Sequence, residues 1–209
     1  MRTFRTRTTR ALGLTGAVAA AALLLAACGN DDAMSGMDHG GTSSATTTAT
    51  AAPSASGTSG TFNDADVMFA QMMIPHHEQA LEMAELADGR AEDADVKKIV
   101  AAIEKAQDPE IRKMKAWLRG WGRPESAGTH HGMAGMMSEQ DMKDLAAAKG
   151  KDFDRAFAEL MIAHHEGAVE MAKTEQKNGG NAEAKALAGE VVTAQTAEIT
   201  ELRKILDRL

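Results

Sequence analysis

The 209-residue sequence predicts an all-α protein, a ferritin-like four-helix bundle built from two repeated helical hairpins with a short extra helix in the crossover. Three observations carry this. Residues 69–83, FAQMMIPHHEQALEM, align without a gap with residues 157–171, FAELMIAHHEGAVEM, at an offset of 88. The same offset pairs Ala106-Gln107 with Ala194-Gln195, Glu110-Ile111 with Glu198-Ile199, and Leu118 with Leu206. Each half is therefore one supersecondary unit, and the two are expected to pack about a pseudo-two-fold axis. Apolar residues recur at helical spacing in four long segments, and no stretch alternates apolar and polar residues as a half-buried strand would.

The chain opens with an address. Arg2, Arg5, Arg7 and Arg10 precede the apolar run 11–27, which ends Leu25-Ala26-Ala27-Cys28. A basic start, a short apolar core and small residues before a cleavage point describe a signal peptide, residues 1–27. The run is too short and alanine-rich for a membrane span. Leu-Ala-Ala-Cys resembles a bacterial lipobox, with Cys28 as the lipidated residue, so the mature protein is expected outside the cytoplasm and anchored to the cell membrane. If the lipobox is not used, the protein is secreted. Cleavage removes four Arg and no acid, taking the net charge from −7 to −11. Residues 28–61 form the lipidated Cys and a tether of Gly, Ser, Thr, Ala and Pro, expected to be disordered. One patch in it, Met34, Met37 and His39, carries soft-metal donors.

The bundle domain is expected over residues 62–209, with repeats at about 62–120 and 150–209. Asn63 or Asp64 caps a first helix reaching about Ala87, where Asp88-Gly89 ends it. A second runs from about Glu92 to Arg119, with Val96, Ile99, Ile103, Ile111, Met114 and Leu118 on its apolar stripe, and stops at Gly120. Ser138 caps a short helix to about Ala148. Asp152 caps the third long helix, closed by Asn178-Gly179-Gly180, and the last runs from Ala182 to the C-terminus. Pro75 and Pro109 are expected to bend or locally break their helices. The second copy has Ala163 and Ala197 at those positions.

Composition narrows the chemistry. A single cysteine excludes a disulfide framework and any cysteine-cluster metal site. The acidic balance argues against nucleic acid as a partner, because phosphate binding needs a basic face. What stands out is 14 Met and 7 His, the thioether and imidazole pair that suits copper.

On a helical wheel Phe69, Met72, Met73, Ala80, Met83 and Ala87 lie within about 60° of His76, and His77 lies about 100° away, at the stripe edge. Met161, Met171, His164 and His165 repeat this arrangement. An imidazole in a bundle core needs a partner for its ring nitrogens. Two arrangements supply one: hydrogen bonds to Gln107 and Gln195, also on apolar stripes, or a metal held by His76, His77, His164 and His165 with Met73, Met83, Met161 and Met171. The doubling favours metal, with copper as Cu(I) or Cu(II). Met68, Met114 and Met142 are expected to be core filler.

Glu78, Glu82 and Glu85, with Glu166 and Glu170, fall away from the central histidines and read as a solvated face. No Glu-x-x-His occurs, as a ferritin-like di-iron oxidase would need, and no His-Glu-x-x-His. No catalytic motif is present, so the protein is not expected to be an enzyme. In the crossover, His130, His131, Met133, Met136 and Met137 form a secondary candidate site with almost no aliphatic content.

The paired Met-Ile-x-His-His-Glu motifs, the following Glu-Met, and Ala-Gln-x-x-Glu-Ile in the partner helices resemble the CopM-like family (domain of unknown function 305) over about residues 62–209. The resemblance implies a ferritin-like bundle that binds copper outside the cytoplasm in copper resistance. By position it implies ligands among His76, His77, Met73, Met83, His164, His165, Met161 and Met171. The expected function is copper buffering, resistance or transfer, with an unidentified donor or acceptor. Two alternatives stand beside it: a metal-dependent oxidoreductase, and a structural envelope lipoprotein without metal.

Overall fold

The computed structural model describes residues 61–126 and 133–209. The expected signal peptide, Cys28, Met34, Met37, His39, His130 and His131 lie outside the described residues. The described residues form five helices and no strand: α1 (Asp64–Glu85), α2 (Ala94–Gly120), α3 (Glu139–Ala147), α4 (Gly150–Asn178) and α5 (Ala182–Leu206). Helix α1 packs against α2 and α4 against α5, giving the two hairpins; α1 also meets α4, and α2 meets α5. The short α3 lies against α4. Among the described residues no helix is long and apolar enough to cross a membrane.

The helix starts follow their caps. The Asn63 side chain accepts from the Ala65 and Asp66 backbone N–H groups while Asp66 accepts from the Asn63 N–H, a reciprocal capping box. Asp93, Ser138 and Asn181 cap α2, α3 and α5. Asp152 does not cap α4, as the sequence suggested. Gly150, at φ +58°, turns the chain with its N–H on the Arg90 carbonyl at 2.8 Å. The helix therefore begins three residues early, with Lys149 rather than Asp152 at an N-cap that makes no side-chain bond. Pro75 and Pro109 do not break their helices: α1 and α2 run through them. Each proline removes one helical hydrogen bond, a loss the surrounding turns of a long packed helix absorb.

The 88-residue offset reappears in the contacts. Glu78 pairs with Lys115 at 2.6 Å, and Glu166 with Arg203 at 2.7 Å. Asp66, buried in α1, accepts from the backbone N–H groups of Gly180 and Asn181 ahead of α5. Asp154, buried in α4, accepts from those of Glu92 and Asp93 ahead of α2. Each hairpin thus satisfies donors at a helix start of the other, groups a helix cannot satisfy for itself.

Two apolar clusters fill the interior. One holds Met83, Ala84, Val96, Ile103, Leu145, Phe153, Phe157, Met161 and Leu202; the other holds Phe69, Met73, Ile74, Ile111, Met114, Leu118, Ala172, Leu187 and Val191. On each long helix the residues of one cluster precede those of the other. Between them lie His76 and His77 on α1, Gln107 and Glu110 on α2, His164 and His165 on α4, and Gln195 and Glu198 on α5. The bundle is two hydrophobic plugs separated by one polar layer.

Candidate metal centre

All four histidines of that layer are buried, with at most 1% of their surface exposed. His77 and His165 sit one helical step from the centre of the stripe, and the wheel places them at its edge. They are as buried as His76 and His164, because α2 and α5 close over them. Glu110 and Glu198 do this: the His77 Nε2 is 2.7 Å from the Glu110 Oε2, and the His165 Nε2 is 2.6 Å from the Glu198 Oε2. A carboxylate at Nε2 holds the proton on that nitrogen and leaves Nδ1 with its lone pair, an arrangement common behind metal-binding imidazoles. The sequence marked Glu110 and Glu198 as a repeat pair but not as histidine partners; their position one turn beyond the buried glutamines was the available signal.

His76 and His164 face each other from α1 and α4, with ring centroids 3.8 Å apart and planes tilted by 43°. The His164 and His165 rings are 6.3 Å apart. The Nε2 of His76 lies 3.3 Å from the Ala134 carbonyl oxygen. Neither nitrogen of His164 has a hydrogen-bond partner, nor do the Nδ1 atoms of His76, His77 and His165. The expected alternative, hydrogen bonds to Gln107 and Gln195, is not what the structure holds: the side-chain oxygens of both glutamines are buried and likewise unpartnered. Burial, and secondarily the neighbouring His77, lowers the His76 pKa to about 3. Burial, then His76, holds His164 well below its ordinary value. Both rings are therefore neutral bases at physiological pH, the form that binds metal.

The thioethers divide. Met73 belongs to one apolar cluster, Met83 and Met161 to the other, all fully buried. Met171 is partly buried and lines a groove with Met68, Met72 and Met133. Met68, expected as core filler, is 59% exposed. Met137 packs on the first cluster, while Met136 is partly buried in the crossover. Glu78, Glu82, Glu85, Glu166 and Glu170 are exposed, as their wheel positions predict. Among the described residues no three His, Cys, Asp or Glu side chains are grouped so as to hold a metal ion by themselves.

The crossover reaches the layer at residues 134–137. Gln79 clamps it with two bonds, accepting from the Met137 N–H at 2.7 Å and donating to its carbonyl at 3.0 Å. Gly167, the repeat partner of Gln79, lets the crossover backbone approach: a Cβ there would lie 2.1 Å from the Ala134 oxygen. Gly135 completes the fit at φ +80°, where a side chain would be 2.7 Å from the Ala163 carbonyl. The two departures of the repeat at this position, Gln79 and Gly167, are the two residues that seat the crossover.

Residues 66–206 match the family model described as a domain of unknown function, DUF305. Among curated proteins none matches. A DUF305 fragment from Deinococcus radiodurans is similar at 33% identity over 70% of this chain and 98% of its own, with a TM-score of 0.65. A DUF305 protein from Streptomyces coelicolor, named as a candidate secreted protein, is similar at 32% over 68% of this chain and 92% of its own, also at 0.65. CopM in its Cu(II)-bound form is similar at 35% over 68% of this chain and 95% of its own, with a TM-score of 0.60. CopM is also solved with Cu(I) and with Ag. The match spans four of the five helices whole and nearly all of α1, histidine layer included, and the chain belongs to the DUF305 family.

Proposed function

We propose that this protein binds copper outside the cytoplasm and buffers it or hands it on by ligand exchange, with the ion as cargo. The observation that carries the reading is the layer of four buried imidazoles, five of whose nitrogens have no hydrogen-bond partner. Leaving such groups dry and unpaired costs about 1–3 kcal/mol each, a cost that a bound cation offsets. CopM, similar across the same helices and solved with Cu(II) and Cu(I), supports the choice of metal. His76, His77, His164 and His165 supply nitrogen, and Met73 and Met161, each fully buried three residues before a central histidine, are the nearest sulfur donors along the same helices. Glu110 and Glu198 orient His77 and His165. Neutral imidazole and thioether bind without losing a proton, which suits exchange in acidic surroundings.

The basic, apolar and Leu-Ala-Ala-Cys28 run supports an envelope location with a lipid anchor at Cys28, and the tether would let the domain range from the membrane surface. No donor or acceptor protein is assigned. Nothing in the layer requires turnover, so we read a carrier rather than an enzyme. The test is titration of residues 62–209 with Cu(I) against a competing chelator. Tight binding that collapses on replacing His76, His77, His164 and His165 by Ala supports the reading. Micromolar or weaker binding, unchanged by those replacements, removes it.

A further inference from the structure

The pseudo-two-fold relation creates two equivalent strips along the α1–α4 seam, one on each side of the histidine layer, and the chain treats them differently. On one side Ala156 and Leu160 of α4 and Met83 of α1 pack in a cluster sealed by Leu145 and Met142 of α3 and by Met137. On the other side the repeat-related positions are Met68, Met72 and Met171. No helix among the described residues covers them; they border an open groove of about 510 Å3, to which the crossover adds Met133. Three of these sulfurs stand where the repeat has Ala156, Leu160 and the fully buried Met83. Two aliphatic positions have become thioethers, and Met68 exposes 59% of its surface.

We propose that this groove is a second site, for a soft monovalent cation such as Cu(I) or Ag(I), held by the thioethers of Met68, Met72, Met133 and Met171. Thioethers are uncharged, polarisable donors that favour such ions over hard or divalent ones. Core filling does not explain sulfur on an open face. The Ala134 carbonyl links the two sites: Ala134 lines the groove and its oxygen lies 3.3 Å from the His76 Nε2. The groove is thus the outer station next to the imidazole layer. This inference extends the copper reading but stands on separate residues.

The mature chain, labelled at methionine methyl carbons and titrated with Ag(I), tests it. The methyl signals of Met68, Met72, Met133 and Met171 are expected to shift together and saturate. A variant with all four changed to Leu, a volume-conserving exchange, is expected to lose one Ag(I) equivalent while keeping its melting temperature and its Cu(II) binding. The paired change His76→Gln and His164→Gln is expected to leave the groove signals responsive, so failure of the imidazole reading is distinguishable from failure of this one. Unmoved signals at the four methionines, or an unchanged Ag(I) stoichiometry in the Leu variant, overturns the proposal.

Discussion

The two hairpins carry the same polar layer and differ in what surrounds it. His77 and His165 have matching carboxylates, and Glu78–Lys115 matches Glu166–Arg203, so the frame is symmetric. The differences collect at three places. His76 has the Ala134 carbonyl while His164 has no partner. Gln79 clamps the crossover where Gly167 yields to it. Asp66 lies against Glu175, whereas Asp154 has Ala87 at the equivalent position. A duplicated frame can be symmetric, but one crossover can dock only once, and the residues it touches diverge.

The largest expected break in that comparison is with pH. Below about 6.5 the unfolded chain protonates the residues at His76 and His164, whereas the folded protein keeps them neutral, so acid favours unfolding by about 1.4 kcal/mol per pH unit per group. Glu175 runs the other way. Burial foremost, and then the Asp66 carboxylate, raises it to about 8, so the fold holds a proton that the unfolded chain releases above about 4.5. Stability from this group declines as pH rises towards 8. Urea denaturation of the metal-free protein should therefore peak near pH 6–7. Glu175→Gln, altering the second hairpin alone, should flatten the alkaline side; an unchanged profile contradicts the assignment.

Asp154→Ala should cost about 3 kcal/mol, because it strips a buried carboxylate from the backbone N–H groups of Glu92 and Asp93. Asp66→Ala should cost less, since the same change frees Glu175 from a neighbouring negative charge. Equal losses in chemical denaturation would show that the carboxyl pair has no energetic consequence. Gly167→Ala should lose about 1–3 kcal/mol by overpacking against Ala134, and Gln79→Ala about 1 kcal/mol. Faster amide exchange at residues 134–137 should accompany both changes. The smallest contrast is between Glu110→Gln and Glu198→Gln. Each should weaken copper affinity by about 10–100-fold and by similar factors, since the frame treats both alike; competition titration measures it.

Much of this was legible in residues alone. The repeat, the four long helices, the Ser138 cap and the central burial of His76 and His164 follow from periodicity and local capping chemistry, which act within a few turns. The carboxylate partners of His77 and His165 were not legible, since a wheel describes one helix and its edge positions are buried only when a neighbouring helix closes over them. Asp66 and Asp154 were missed for the same reason: each caps a helix more than a hundred or about sixty residues away, and nothing local distinguishes them from surface acids. The start of α4 went to Gly150 rather than after Asp152 because a tertiary bond to Arg90 set it.

By itself the sequence determined the helices, their duplication and the inward face that carries imidazole, since side-chain spacing on a 3.6-residue helix is a local property. Tertiary structure alone decided which nitrogens keep free lone pairs, which strip of the α1–α4 seam is sealed and which is left open. Those depend on where a single asymmetric crossover comes to rest on a symmetric frame, and only packing between distant segments sets that position.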